Sequence, residues 1–165
     1  MIKKIFRIIG LFIINKFLST TRFFFLKNII LRFCGISVGE NSKVVGPIEM
    51  GTVATLAIGS NTWIGSGLKI YGNGNVIIGD NCDLAPDIAF VTGSHEIGDE
   101  KRRAGEGISF NIEIDNGCWI GARVTIAGNI KINTGSIVGT SALVNKDVFE
   151  NTIVAGVPAK IIKKL

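Results

Sequence analysis

Aliphatic residues recur at every sixth position in the C-terminal half of the chain. The first position of each repeat holds Ile114, Ile120, Ile126, Ile132, Val138 and Val144. A second position, four residues later, holds Cys118, Val124, Ile130, Ser136, Ala142 and Val148. Because a period of six fits neither a helix nor a simple strand, the regular unit is longer than one element. The pattern predicts a parallel β-helix, in which each hexapeptide is a short strand plus a turn and three hexapeptides form one triangular coil.

The same spacing continues toward the N-terminus with one irregular step. The aliphatic positions of this part are Ile58, Ile64, Ile70, Ile78, Leu84 and Phe90. The step of eight between Ile70 and Ile78 predicts a bulge at a corner, within Tyr71–Asn75. With a less regular opening at residues 36–50, the repeats predict five to six coils. At ~4.8 Å per layer, the prism would be roughly 25–30 Å tall.

One long break interrupts the repeats at residues 92–111. This segment is polar, lacks the period of six and contains the single histidine of the chain, His95. A loop of this length inside a compact repeat is usually functional, although a tolerated surface insertion is the alternative. We therefore predict an all-β fold with a helical segment at 1–34, a β-helix at 35–157 with a protruding loop at 92–111, and a basic tail at 158–165.

The first 34 residues are apolar with regular cationic interruptions. No uncharged run reaches the ~18–20 residues needed to span a bilayer. The apolar run Ile8–Ile14 follows early lysines, but no small-residue cleavage site follows as in a signal peptide. We predict one or two helices with Ile and Phe on one side and Lys and Arg on the other. They either lie on an anionic membrane surface or cap the first coil or a neighbouring subunit, and both hypotheses stay open.

Composition narrows the functional classes. The 165 residues carry a net charge of +5, but no basic helix with interleaved aromatics indicates nucleic-acid binding. The odd cysteines Cys34, Cys82 and Cys118 indicate reduced core residues of a cytosolic protein, peripheral at the inner face of the membrane if the helices bind lipid. No spacing resembles a metal site, so no metal is expected. Clustered lysines and arginines suit a phosphorylated ligand such as coenzyme A.

The last third of the chain contains four motifs in a fixed order. They are Cys118-Trp-Ile-Gly-Ala122, Gly135-Ser-Ile-Val-Gly139, Val144-Asn-Lys-Asp-Val148 and Ala155-Gly-Val-Pro-Ala-Lys-Ile-Ile-Lys163. After a Thr-Gly-x-His loop, this order resembles the hexapeptide-repeat O-acetyltransferases, among them the galactoside and maltose acetyltransferases and those of polysaccharide biosynthesis. The resemblance covers residues 36–165. It implies a left-handed β-helix, an exception to the usual right-handed crossover, and a homotrimer with acetyl-CoA sites between subunits.

Acetyl transfer from a thioester to an alcohol needs a general base for the hydroxyl proton and a donor for the developing oxyanion. His95 has the one side chain of this composition whose unperturbed pKa lies near neutral, and the resemblance makes it the base. The carboxylates that could orient its ring are Asp83, Asp87, Glu96 and Glu113, and the sequence does not choose among them.

The resemblance also suggests residues for the acceptor. Trp119 matches a tryptophan beside the acetyl or acceptor site, although burial in a trimer interface is the alternative. Asp87 stands where sugar acetyltransferases carry an asparagine that contacts acceptor hydroxyls, although it could be a solvated turn residue. Arg102 and Arg103 in the loop are candidates for an acceptor phosphate or carboxylate, as on a nucleotide-linked or lipid-linked sugar.

For coenzyme A, the resemblance implies a site along the seam between subunits. Backbone groups at Ala122 and Thr140 would pair with the amide-rich pantetheine arm. The residues implied nearer the nucleotide are Asn145, Lys146, Lys160 and Lys163. The last two match positions that are often arginine, and lysine keeps the charge without the bidentate geometry. Solvated C-terminal lysines are the alternative.

These observations favour an acetyl-CoA-dependent O-acetyltransferase that acts on a sugar hydroxyl in surface-polysaccharide biosynthesis, with His95 as base. An N-acetyltransferase of an amino-sugar nucleotide and a non-catalytic β-helix scaffold are the alternatives. A γ-class carbonic anhydrase, built on the same fold, needs three histidine ligands, and one histidine excludes it. Serine acetyltransferases carry a larger helical N-terminal domain than the 34 residues found here.

Overall fold

A computed structural model describes residues 2–165 and their side chains from Lys4 onward, so Met1 of the predicted N-terminal segment lies outside the described residues. Two helices come first, α1 (Ile2–Phe17) and α2 (Phe24–Phe33). The strands that follow are β1 (Ser37–Val38), β2 (Lys43–Val44), β3 (Ile48–Met50), β4 (Thr55–Ile58), β5 (Trp63–Ile64), β6 (Leu68–Tyr71), β7 (Asn75–Ile78), β8 (Asp83–Leu84), β9 (Ala89–Val91), β10 (Gly93–Ile97), β11 (Ala104–Ser109), β12 (Asn111–Ile114), β13 (Trp119–Ile120), β14 (Thr125–Ala127), β15 (Ile130–Ile132), β16 (Ile137–Val138), β17 (Leu143–Val144), β18 (Thr152–Ala155) and β19 (Lys160–Lys164).

Three parallel sheets form the walls of a triangular prism. Face A contains β1-β4-β7-β12-β15, face B contains β2-β5-β8-β13-β16-β18, and face C contains β3-β6-β9-β14-β17. The chain visits the faces in the order A, B, C, so the corners are A/B, B/C and C/A. About six coils result, which confirms the predicted parallel β-helix.

The length of a coil changes along the prism. Ser37 pairs with Ala57, and Thr55 pairs with Asn75, so the first coils repeat every 20 residues. Ile112 pairs with Ile130, which gives the 18 residues of three hexapeptides. The two extra residues of the early coils lie at the C/A corner, where Gly72 adopts a left-handed φ of 110°. The predicted bulge is therefore present.

Small side chains at the A/B corner tie successive coils together. Ser42 Oγ donates to Gly59 O at 2.6 Å, and Thr62 Oγ1 donates to Gly79 O at 2.8 Å. In the next coil Cys82 Sγ donates to Asp115 O at 3.1 Å. The cysteines are free, buried thiols, as predicted. Each side chain in this column satisfies a carbonyl that the turn leaves without a strand partner.

The two helices close the N-terminal end of the prism. Leu11, Ile14 and Leu31 are buried against the first coil. The Asn15 side-chain amide donates to Ile48 O and accepts from Ile48 N, both at 2.8 Å, so it pairs with β3 as another strand would. The Arg7 guanidinium donates to Ala54 O at 2.6 Å.

On α1 the outward side carries Ile9, Phe12 and Ile13, with the exposed Lys16 among them. Arg7 and Asn15 lie on the side that faces the first coil, where they bond to its backbone. Among the described residues, no helix combines the length and hydropathy that crossing a bilayer requires.

Two segments without the repeat also form strands. The loop at 92–111 is a β-hairpin, in which β10 pairs antiparallel with β11. The basic tail pairs antiparallel with β18 through β19, for example Ala155 with Lys160. The sequence of β19, Lys-Ile-Ile-Lys-Lys, does not alternate apolar and polar residues, and all five side chains are exposed, so periodicity does not predict this strand.

Candidate functional site

The hairpin leaves the prism at the C/A corner between the third and fourth coils, and Thr92 fixes its base. The buried Thr92 donates its N–H to Tyr71 O at 2.7 Å, and its Oγ1 accepts from Gly74 N at 3.2 Å. Phe110 N donates back to Thr92 O at 2.8 Å. Both strands of the hairpin are therefore tied to the turn of the preceding coil.

Glycine is required in that turn by close approach of backbone. A Cβ on Gly72 would lie 2.5 Å from Gly93 N, and a Cβ on Gly74 would collide with Phe110 O. Contacts this short do not occur for real side chains, so Tyr71–Asn75 can cradle the hairpin only with these glycines. The bulge predicted from the sequence is thus the turn on which the hairpin packs.

His95 lies on the first strand of the hairpin, opposite Gly107. Its exposed imidazole borders a cavity of about 400 Å³ that is also lined by Tyr71, Asn73 and Ser109. Because the facing residue lacks a side chain, the ring has room for a ligand beside it. Sequence reasoning missed these three lining residues, although the irregular step at Tyr71–Asn75 was a signal for two of them.

No carboxylate orients the His95 ring among the residues that the structure describes, since the ring makes no hydrogen bond to them. Glu113 and Asp115 instead bind Lys131 Nζ, at 3.6 and 3.3 Å. Hydrogen bonding and charge from Asp115, and then Glu113, raise the pKa of that lysine. Asp83 lies on the outer side of face B, away from the hairpin.

Three predicted residues share the B/C corner. Asp87, Ala122 and Thr140 occupy successive coils there, and the coils are linked by Arg123 N to Pro86 O at 2.9 Å and Ser141 N to Ala122 O at 2.8 Å. Asp87 has a left-handed φ of 62°, which aspartate tolerates better than most residues. The exposed Arg123 lies in the same column, next to Ala122, and was not singled out from the sequence.

The C-terminal end of the prism brings the next group together. Asn145, Lys146 and Lys160 line a cavity of about 330 Å³ with Phe149 and Ala159. Lys163 lies beside it on the strand paired with Ile153 of face B. Asp147 also lines the cavity, so the two lysines leave it a net positive charge, which suits a phosphorylated ligand.

The two loop arginines lie at the tip of the hairpin. Asp99 Oδ1 accepts from Lys101 N at 3.0 Å and from Arg102 N at 3.1 Å, which builds the turn. The Arg103 guanidinium donates weakly to Gly98 O at 3.4 Å. Both arginines are exposed, so their charges are available to a ligand above the hairpin.

Trp119 lies on the outer side of face B, where it is 57% exposed. Asp83 is its neighbour in the preceding coil, and Trp63 follows one coil further. In the single chain the indole is therefore at the surface and not in the core.

The predicted site residues thus divide between two edges of the prism. His95 and the hairpin are at the C/A corner, whereas Asp87, Ala122 and Thr140 are at the B/C corner. Face C separates them, and its three-residue strands alone span about 10 Å. One chain therefore places His95, Asn145 and Lys146 at one edge and Asp87, Ala122 and Thr140 at another.

Comparison with known proteins adds relatives with sugar acceptors in their names. No family model matches the chain. The galactoside O-acetyltransferase of Escherichia coli (strain K12) is 35% identical over 129 residues, which are 78% of this chain and 64% of that protein. A putative colanic acid biosynthesis acetyltransferase of the same organism is 26% identical over 82% of this chain and 72% of its own length. The chain spans less than two thirds of the first of these relatives.

Solved structures match nearly the whole fold. The hexapeptide-repeat acetyltransferase of Vibrio cholerae covers 100% of this chain and is itself covered to 93%, with a TM-score of 0.83 and 27% identity. A galactoside acetyltransferase in complex with coenzyme A has a TM-score of 0.75 and 26% identity, over 98% of this chain and 80% of its own. These matches confirm the predicted left-handed β-helix.

Proposed function

We propose, from the premise that this chain belongs to the hexapeptide-repeat acetyltransferase family, that it transfers the acetyl group of acetyl-CoA to a saccharide hydroxyl. The observation that carries the proposal is His95, held by a clamped hairpin at the border of an open cavity. A scaffold would not need a base displayed in this way.

In the proposed reaction His95 accepts the proton of the acceptor hydroxyl while the hydroxyl oxygen attacks the thioester carbonyl carbon. A carbon–oxygen bond forms, and collapse of the tetrahedral adduct breaks the carbon–sulfur bond. The imidazolium of His95 then returns its proton to the departing thiolate. Backbone N–H groups at the B/C corner are the candidate donors for the oxyanion.

Coenzyme A fits the B/C corner and the C-terminal cavity. The corner offers backbone groups at Ala122 and Thr140 to the amides of the pantetheine arm. Lys146 and Lys160 offer positive charge to its phosphates, and Lys163 adds a third charge nearby. The coenzyme A complex of the related galactoside acetyltransferase supports this ligand.

The separation of the two edges supports a homotrimer. A second copy that sets its B/C corner against the C/A corner of the first would bring its Ala122 and Thr140 toward His95. The same unlike pair of edges can repeat around a threefold axis and close a ring. Trp119, exposed on face B beside the B/C corner, would then also lie near the completed site.

For the acceptor we propose a saccharide that carries a negative charge. Arg102 and Arg103 are exposed at the tip of the hairpin that carries His95, and guanidinium groups pair well with phosphate or carboxylate. The Asp87 carboxylate could accept hydrogen bonds from sugar hydroxyls. A role in surface-polysaccharide biosynthesis is supported by the relative named for colanic acid.

The first experiment measures acceptor-dependent thiol release from acetyl-CoA with the purified full chain, over neutral, amino and charged saccharides. His95→Ala should lower kcat about 10²–10⁴-fold, because proton abstraction is lost, while coenzyme A binding by calorimetry persists. Ile97→Ala, at an 89% exposed position on the same strand, is the matched control and should leave both unchanged. Full turnover by His95→Ala would refute the assigned base.

A second experiment tests the acceptor charge. Arg102→Ala with Arg103→Ala should raise KM for a charged acceptor and leave KM for its neutral analogue unchanged. Lys101→Ala at the same tip is the control. An amine acceptor preferred over every hydroxyl would replace O-acetylation by N-acetylation in the proposal.

A further inference from the structure

The two N-terminal helices expose far more apolar surface than sealing the first coil requires. Their exposed large apolar side chains, called here the helical face, are Ile5, Phe6, Ile8, Ile9, Phe12, Ile13, Phe17, Phe23, Phe25, Leu26 and Phe33. Phe25 and Phe33 are 81% and 75% exposed. So many exposed large apolar side chains in one region indicate an interaction site in a folded protein.

The charge of this region is one-sided. The first 39 residues contain no Asp or Glu, and their cations are Lys3, Lys4, Arg7, Lys16, Arg22, Lys27 and Arg32. The remainder of the chain has 11 Lys and Arg against 13 Asp and Glu, so the positive charge of the protein resides in the helices.

Three of these cations remain available to a partner. Arg7 and Lys27 donate to backbone carbonyls of Ala54 and Thr20, whereas Lys4, Lys16 and Arg22 are exposed. Within the described part of the chain the recorded ion pairs involve Lys131 alone, so the helical cations face no carboxylate.

We propose that α1 and α2 dock the protein on an anionic lipid bilayer, with the helical face in the interfacial layer and the exposed cations against lipid phosphates. Apolar side chains with interspersed cations bind such interfaces through buried area and electrostatic attraction together. A second copy of the same face would bring like charges together instead. At about 1.5 Å per residue the 16 residues of α1 reach about 24 Å, short of the ~30 Å hydrocarbon core, so the helix lies along the surface.

Docking in this way has a consequence for the acceptor. This consequence rests on the proposed function, whereas the docking proposal does not. The His95 cavity lies between the third and fourth coils, about 10–15 Å from the first coil at ~4.8 Å per layer. A saccharide linked to a lipid headgroup could reach the cavity at this height.

The test is co-sedimentation of the full chain with vesicles of phosphatidylcholine alone and with added phosphatidylglycerol. Binding should be strong with the anionic vesicles, weak with the neutral ones and weaker in high salt. Phe12→Gln, Phe25→Gln and Phe33→Gln combined should lower the partition coefficient at least tenfold. The matched control, Val157→Gln, Ile162→Gln and Leu165→Gln, changes three side chains of 60–72% exposure at the far end and should bind like the wild type.

A second variant distinguishes the contribution of charge to vesicle binding from that of apolar surface. Lys4→Gln, Lys16→Gln and Arg22→Gln combined should lose the preference for anionic vesicles. Light scattering and circular dichroism accompany each variant, so unfolding is recognised directly.

Failure of the wild type to bind anionic vesicles would overturn the proposal. Unchanged vesicle binding by the triple Phe variant would also overturn it, and so would dissociation of an oligomer in that variant, because the helical face would then be a subunit contact. Acetyl transfer to soluble acceptors is measured in parallel, so loss of docking and loss of activity are distinguishable.

Discussion

The two ends of the prism are closed in different ways. At the N-terminal end, two helices bury Leu11, Ile14 and Leu31 and pair an asparagine side chain with the first coil. At the C-terminal end, the single strand β19 covers an edge with five exposed side chains. A solenoid must cap both ends of its core, and at the C-terminal end a single strand, whose exposed side chains include Ile161 and Ile162, is enough. The additional apolar surface of the helices therefore needs another explanation than capping.

The largest effect should come from the packing of the helices on the first coil. Ile14→Ala removes a fully buried side chain and should lower the free energy of unfolding by about 2–5 kcal/mol, because a cavity remains. The same change at the other end, Ile162→Ala, should stay within about 0.5 kcal/mol. Urea unfolding of both variants measures the contrast, and equal losses would contradict it.

The next effect concerns Asn15. Asn15→Ala leaves the N–H and C=O of Ile48 without their partner and should cost about 1–3 kcal/mol in the same assay. Asn15→Asp keeps the acceptor but loses the donor, so its loss should be smaller at low pH than at neutral pH. A loss that does not depend on pH would argue against strand-like pairing.

Removal of β19 should have a smaller effect. Deleting residues 160–165 removes the hydrogen bonds between β19 and β18. It also removes the entropy cost of ordering six exposed residues, which offsets most of the stability lost with those bonds. We expect a change in stability of about 1 kcal/mol, measured by urea unfolding. A loss as large as that of Ile14→Ala would show that the C-terminal cap is structurally equal to the helices.

The smallest effect is a pH dependence at the N-terminal end. Lys27 is buried, with Nζ 2.7 Å from Thr20 O and 4.4 Å from the centre of the Phe24 ring, and burial lowers its pKa from the ordinary 10.5. The unfolded chain then binds more protons between the lowered pKa and 10.5, so stability should rise with pH in that window. Lys27→Met should lack this increment, whereas Lys16→Met at an exposed position should retain it. Identical pH profiles for the two variants would refute the cause.

The walls of the prism could be predicted from the sequence, because every sixth residue has to face one shared core. The inward orientation of Ile120 and Ile126 therefore follows from the repeat, without any long-range information. In α1, by contrast, nothing local distinguishes the buried Ile14 from the exposed Ile13. The stripe that faces the coil is decided by tertiary packing alone.

The candidate site shows the same limit. His95 could be singled out because it is a lone histidine in a break of the repeat. Tyr71, which lines its cavity, comes from the preceding coil. The irregular step at Tyr71–Asn75 marks that turn in the sequence, but only the fold shows that the turn lies beside the hairpin. The roles of Trp119 and the C-terminal lysines, and the cytoplasmic location, stay predictions.

The position of the helices at the start of the chain also bears on how the molecule is made. During synthesis α1 and α2 are complete before the first coil has left the ribosome. Each coil contacts its neighbours alone, so every new turn finds a finished surface on which to pair as it emerges. The helical cap can thus serve as the template on which the prism grows, one layer at a time.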